Sequence, residues 1–446
     1  MGMLMYLLYS ALLALVMIVT LPYWLLQMLR HGKYRAGLRQ RLGAVPAALS
    51  PIPPARTIWV HAVSVGEVVA SAAVIEGLRH EFPSRRVLVS TTTATGQKLA
   101  QKRFGKENVF YFPLDFAFAI RPYLDALHPE LCVIAETEFW PNFLRLARQS
   151  GARIAVINCR ISDRSFPRYQ RLRPLLAKVL DNVDLFLPQT EEDCKRLVAI
   201  GAVEAKATVA GNLKFDVAPP AAPAIIATLR DAFAEKEGEP PPAWPILVCG
   251  STLDGEEGAL LSAFRNILLM HPRAVMILAP RHPERFDEVA NLIEQLGFPM
   301  WRRSLWGGEL LSGGVFLLDT IGELAAMYSL ATVAFVGGSL VPRGGHNILE
   351  PSLYGVPVVT GNHYENFRDI VEFFLSRNAV RVVGLAELPL VLIELIEHAE
   401  ERATLGRNAL SALESQRGAT ARTIRALSDL IGQSAPVGQS VSEAAR

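Results

Sequence analysis

No charged side chain occurs from Met1 to Leu29, and Tyr6, Tyr9, Tyr23 and Trp24 stand near the two ends of this apolar run. About 20 apolar residues suffice to cross a bilayer core, and aromatic residues collect at its interfaces, so residues 1–29 are expected to form a membrane-anchor helix. Beyond it the pattern changes to short Val/Ile/Leu-rich runs separated by longer amphipathic stretches. Strands are expected at Thr57–Ala62, Arg86–Ser90, Val109–Tyr111, Leu131–Ala135, Arg153–Asn158, Leu185–Pro188 and Ala207–Ala210. Helices are expected between them, for instance Glu67–His80 and Pro141–Gln149. Runs apolar on both faces suit buried parallel strands, and strand–helix alternation predicts a doubly wound α/β domain over residues 30–215.

Residues 216–245 interrupt the alternation. Pro219, Pro220, Pro223, Pro240, Pro241, Pro242 and Pro245 flank one short helical stretch, which reads as an interdomain linker. A second alternation follows over residues 246–432, with strands expected at Ile246–Cys249, Ala274–Ala279, Val315–Leu318, Val333–Val336, Val356–Thr360 and Val380–Val383. Its last part, from about Ala386 to Gly432, reads as helical, and residues 433–446 as a disordered tail. Two similar α/β halves joined by a proline-rich segment predict a ligand cleft between them.

Composition changes this picture in one respect. Half of the 446 residues are hydrophobic and 20% are charged, which excludes wholesale disorder. The net charge of +2 conceals an asymmetry: residues 1–66 hold Arg30, Lys33, Arg35, Arg39, Arg41 and Arg56 and no acid, and Glu67 is the first carboxylate. An apolar then basic head on a mildly acidic body points to a membrane surface and not to nucleic acid. A cleaved signal peptide would carry basic residues before the apolar run; here they follow it, which favours an uncleaved anchor, either spanning the bilayer or dipping into one leaflet, with the body on the cytoplasmic side. Arg39 and Arg41 extend a basic collar suited to anionic headgroups. Cys132, Cys159, Cys194 and Cys249 are far apart, which argues against a disulfide framework or structural zinc.

Common catalytic signatures are missing: no G-x-G-x-x-G after a strand, no P-loop, no H-E-x-x-H and no G-x-S-x-G. Six other motifs follow expected strands or join the halves. In His61-Ala62-Val63-Ser64-Val65-Gly66-Glu67 the carboxylate opens a helix, where it serves either as a cap or as a general base. In Glu136-Thr137-Glu138-Phe139-Trp140-Pro141-Asn142 two carboxylates lie two apart, so on extended backbone at most one faces a cleft. Lys214, in Gly211-Asn212-Leu213-Lys214-Phe215-Asp216, is either solvated or set to meet an anion. Pro280-Arg281-His282-Pro283-Glu284-Arg285 puts Arg281 and Arg285 after a buried strand, where a phosphate would sit. Asp319-Thr320-Ile321-Gly322-Glu323 leads into a helix whose amides could bind an anion. Gly337-Gly338-Ser339 through Gly344-Gly345-His346-Asn347-Ile348-Leu349-Glu350 permits close backbone approach, and its Asn-x-x-Glu pair could take vicinal sugar hydroxyls. The run Arg160, Arg164, Arg168, Arg171, Arg173 and Lys178 is either a solvated helix face or a contact for an anionic acceptor.

Taken in order, these motifs resemble those of the 3-deoxy-D-manno-oct-2-ulosonic acid (Kdo) transferases of lipopolysaccharide assembly, over nearly the whole chain. The resemblance implies an α/β GT-B fold: two Rossmann-like domains facing a cleft, with an N-terminal anchor in the inner membrane and catalytic domains on its cytoplasmic face. It implies inverting transfer of Kdo from CMP-Kdo to a lipid A precursor, with neither metal nor other cofactor. By the same resemblance, Glu67 is the proton acceptor, and Glu136 and Lys214 stabilise the transition state. Pro280, Arg281, Ile321, Gly322, Glu323, Asn347, Ile348, Leu349 and Glu350 match the CMP-binding segments, with Ile321 standing where the family often has Met. The second-half motifs alone would also suit a GT-B transferase or epimerase acting on another nucleotide sugar, or a binding protein on such a scaffold.

Overall fold

The structure is a computed structural model that describes residues 2–31, 36–49, 56–217, 224–233 and 244–432. Lys33, Arg35, most of the linker prolines and the tail 433–446 lie outside the described residues. The chain forms two units, residues 1–216 with 417–446, and residues 217–416.

The first unit is built on β1 (Thr57–His61), β2 (Arg86–Thr91), β3 (Val109–Tyr111), β4 (Pro129–Ala135), β5 (Arg153–Cys159) and β6 (Leu185–Pro188). All pair in parallel, in the order β3-β2-β1-β4-β5-β6. Every residue of β1 and β4 is buried, as expected of strands covered on both faces. Trp59 fills one side of β1 among Phe110, Tyr123 and Phe143, and its indole N–H donates to Ser90 Oγ at 2.7 Å. The expected strand Ala207–Ala210 forms only one bridge, Phe186 to Ala207. Thr208 and Ala210 donate to the carbonyls of Phe186 and Pro188, but Pro188 has no N–H to return, so the ladder stops.

The second unit contains β7 (Ile246–Thr252), β8 (Val275–Pro280), β9 (Met300–Arg302), β10 (Gly314–Leu317), β11 (Val333–Val336), β12 (Val358–Gly361) and β13 (Arg381–Val383). These are all parallel, in the order β13-β12-β11-β7-β8-β10-β9. The edge strand β9, only partly buried, has no counterpart in the apolar pattern.

Two helices depart from the expected domain boundaries of 216–245 and 246–432. Ala224–Phe233, inside the proline-rich segment, presents Ile226, Leu229 and Phe233 to the second unit's core beside Ile246 and Val275. It is therefore part of that unit rather than linker. The last helix, Ala419–Gly432, belongs to the first unit: Ala419, Leu427, Leu430 and Ile431 pack with Ile58, Val60 and Val68. Gly418, at φ 92°, breaks the helical run before it, and Asp216 accepts from the amides of Gly418 and Thr420.

Candidate active site

In the first sheet the strand order reverses between β1 and β4, and open parallel sheets bind ligands at the carboxyl ends of strands at such a point. Glu67 follows β1 and Glu136 follows β4. Ser64 caps the helix Val65–Glu81: its Oγ accepts from the Glu67 amide and donates to Glu67 Oε1 at 2.9 Å. Glu67 Oε2 accepts from the Val63 amide at 2.7 Å. This is a capping box shifted by one residue, so the capping role of Glu67 is realised. The same geometry leaves the side chain buried, with only 7% of the residue exposed. Burial pushes its pKa up to about 7; the Val63 amide and Ser64 hydroxyl oppose the rise, and the charges of Glu136 and Glu138 add to it. Capping and poise near neutrality belong to one carboxylate.

Glu136 stands at φ 58°, the left-handed region, with its amide donating to the Ile157 carbonyl. That reversal breaks the expected alternation. The charges of both Glu136 and Glu138 raise the pKa of Glu67. Glu138 is itself pushed up by burial and by Glu136. Asn142, at the end of this motif, is buried; its Nδ2 donates to the Asp115 carbonyl at 2.7 Å and to Ser10 Oγ at 3.0 Å.

Lys214 lies on a turn, Leu213–Phe215, capped by Asn212. The turn is fastened to the end of β5 by Asn158 Oδ1, which accepts from the Leu213 amide at 3.0 Å. Asn158 is also left-handed, at φ 55°. The loops bearing Glu67, Glu136 and Lys214 thus gather at the carboxyl ends of three adjacent strands, β1, β4 and β5. His61 is buried against Phe112, with Nδ1 at 2.9 Å from Ser90 Oγ; burial lowers its pKa to about 3, which keeps it neutral.

The second sheet reverses between β7 and β11. There the sequence reading missed a residue, Glu256. It is fully buried, and its carboxylate accepts from the amides of Leu253, Gly338, Ser339 and Leu340 at 2.7–2.9 Å. One charge therefore ties the loop after β7 to the glycine-rich loop after β11. Gly337 is required here, because a Cβ would stand 2.7 Å from Thr252 Cα and 2.8 Å from the Ser251 carbonyl oxygen. Gly361, at the end of β12, is tighter still: a Cβ would meet Ser339 O at 2.1 Å and Leu340 N at 2.5 Å. Gly361→Ala is expected to cost about 3 kcal/mol by overpacking, measured by thermal unfolding, because Leu340 N is held by Glu256 and Ser339 O by the His363 amide.

The segments expected to bind nucleotide separate into side chains that are available and side chains that are not. Arg281, after β8, is exposed, and its charge reaches Glu350 and His346. Arg285 is committed elsewhere: it pairs with the buried Glu257 at 2.7 Å and with Glu288 at 3.1 Å, which removes it as a phosphate ligand. Ile321 is 81% exposed beside Gly322 at φ 95°. Glu323 accepts from Thr320 Oγ1 and from Arg303 at 2.9 Å, so its carboxylate is occupied in holding this loop. Ile348 and Leu349 are fully buried, leaving only their backbone to a ligand. Asn347 accepts from the Leu349 amide and donates to Glu350 Oε1 at 3.3 Å; burial raises the Glu350 pKa against that bond and against Arg281. His346 Nε2 is buried without a hydrogen-bond partner among the described residues. No group of three His, Cys, Asp or Glu side chains suited to a metal ion occurs among the described residues.

Two parallel, doubly wound sheets with site loops at their switch points define the GT-B class. Solved structures agree on the fold: a glycosyltransferase from Rickettsia africae matches with TM-score 0.52 at 13% identity, covering 85% of this chain and 98% of that one. The UDP-GlcNAc 2-epimerase from Neisseria meningitidis matches with TM-score 0.52 at 13% identity, covering 84% and 100%. Within that class the chain belongs to the 3-deoxy-D-manno-octulosonic acid transferase family. The family model described as 3-deoxy-D-manno-octulosonic-acid transferase (kdotransferase) matches residues 36–217. A 3-deoxy-D-manno-octulosonic acid transferase of Haemophilus influenzae is 32% identical over 93% of this chain and 96% of the relative. One of Bordetella pertussis is 34% identical over 86% and 90%.

Proposed function

We propose that this glycosyltransferase moves Kdo from CMP-Kdo to a hydroxyl of a lipid A precursor such as lipid IVA, with inversion and without a metal, at the cytoplasmic face of the inner membrane. Glu67 takes the proton from the acceptor hydroxyl as its oxygen bonds to the anomeric carbon of Kdo. The bond from that carbon to the phosphate oxygen breaks, and CMP leaves with the electron pair. Glu136 and Lys214 stabilise the transition state; Lys214 supplies positive charge toward the departing phosphate. Pro280, Arg281, Ile321, Gly322, Glu323, Asn347, Ile348, Leu349 and Glu350 hold the nucleotide, with Arg281 and the exposed face of Ile321 as side-chain contacts and Ile348 and Leu349 acting through backbone.

The observation that carries this reading is the Glu67 carboxylate, buried at a strand end with a pKa near 7. A base of that pKa matches its proton-transfer task at neutral pH. CMP is already a good leaving group, so a positioned base and cationic donors meet the chemical demand. The test is incubation of the purified protein in detergent with lipid IVA and CMP-Kdo, followed by product mass. Addition of one or more Kdo units is expected; turnover with a UDP sugar alone would overturn the assignment.

A further inference from the structure

The apolar helix Gly2–His31 is attached to the first unit near both ends. Near its start, Tyr6 is buried, and its hydroxyl accepts from Asn182 Nδ2 at 3.1 Å. Arg145 lies 4.8 Å over the Tyr6 ring, Tyr9 donates to Asp115, and Ser10 accepts from Asn142. Past its end, Gly37 leaves no room for a Cβ beside the Tyr111 ring, Gln40 accepts from the Tyr111 amide, and the Arg41 carbonyl accepts from the Leu114 amide. Arg41 itself is turned inward, 4.6 Å over Tyr111 and donating to the Thr92 carbonyl, so it does not serve the basic collar.

The helix rises about 38 Å from Tyr6 to His31, and the chain from His31 to Gly37 reaches at most about 22 Å. Its axis can therefore leave the line joining the two attachments by no more than about 35°. A spanning helix would separate those attachments by at least about 16 Å along the bilayer normal, and so draw the one polar folded unit joined to both into a hydrocarbon core of about 30 Å. We infer that the helix lies in the plane of the membrane interface and does not cross the bilayer. This rests on the membrane-bound reading above.

The surface agrees. Leu8, Leu12, Leu15 and Val19 stand on one side of the helix at 57–70% exposure, while Tyr6, Ser10, Leu13, Met17, Thr20 and Trp24 form a less exposed stripe on the other. Body residues beside each attachment are also apolar and exposed: Leu38, Leu42 and Phe118 at one, Leu172 and Leu175 at the other. Exposed Arg39 flanks the first group, and Arg168, Arg171 and Arg173 flank the second, as binding to anionic headgroups requires.

The test uses the full chain with Cys194→Ser and single substitutions Leu4→Cys, Leu8→Cys, Leu15→Cys, Val19→Cys or Leu26→Cys. Each variant carries a fluorophore on the new thiol and is bound to phosphatidylethanolamine/phosphatidylglycerol vesicles containing lipids brominated at graded depths. All five positions are expected at one shallow depth, about 5–10 Å below the headgroups. A profile deepest at Leu15 and shallow at Leu4 and Leu26 would overturn the in-plane orientation alone. Failure of the unsubstituted protein to bind the vesicles would overturn the membrane reading with it.

Discussion

Glu67→Gln is expected to lower Kdo transfer about 10²–10⁴-fold, the usual contribution of a general base. The substitution keeps the local fold, because the amide oxygen can still accept from the Val63 amide while the NH₂ group donates to Ser64 Oγ, reversing the bond that hydroxyl makes to Glu67 Oε1. CMP affinity, measured by calorimetry, should stay within twofold of the parent, since the second unit is unaltered. The parent enzyme should also show a pH limb. The Glu67 pKa is raised to about 7, so the active carboxylate form is lost as pH falls through that value and gained as it rises. The rate should therefore climb roughly tenfold per pH unit below about 6.5 and level off above about 7.5. In Glu67→Gln that limb should vanish from the residual rate. A variant with near-parental transfer, or with the same acid limb, would remove Glu67 from the role of base.

The β1, β4, β8 and β11 strands were legible because each is buried on both faces, which leaves a continuous apolar run in the sequence. Met300–Arg302 was not, because a three-residue edge strand buries too little to impose a pattern. Ala207–Ala210 carries the composition of a strand, but its partner strand ends in Pro188, and a missing donor on a neighbour cannot be seen from the segment itself. The same non-locality governs the domain boundaries. Ala419–Gly432 continues the helical pattern of the preceding residues, and only its contacts with Val60 and Val68 place it in the first unit.

Among the candidate site residues, Glu67 and Glu136 could be placed because they follow strands, whereas Lys214 follows Ala207–Ala210, which forms only one bridge, and its turn reaches the end of β5 through Asn158. What the sequence concealed was how charges are divided. Arg281 and Arg285 look equivalent four residues apart, yet the buried Glu257 holds one and leaves the other exposed. The left-handed residue Glu136 was equally hidden, because nothing in its sequence announces a break in extended backbone there. Glu256, in an ordinary Asp-Gly-Glu-Glu run, acquires its role only from amides more than 80 residues away.

Glu256→Ala should be the most damaging substitution in the second unit. The carboxylate satisfies four amide donors, three of them in the buried Gly338–Leu340 turn. Each buried donor left without a partner costs about 1–3 kcal/mol, and because the three share one loop that can relax together, the losses will not simply add. A destabilisation of about 4 kcal/mol is expected in urea unfolding, a large share of the stability of a typical domain. Glu256→Gln should recover little of this. One amide oxygen can still accept, but the NH₂ group would point at amides that also donate. The loop it holds is the one that leads to His346, Asn347 and Glu350, so residual folded protein should bind CMP more weakly, whereas Glu67→Gln should not. If Glu256→Ala unfolds at the parental urea midpoint, the buried carboxylate is not what fixes the glycine-rich loop, and its amides must find other partners.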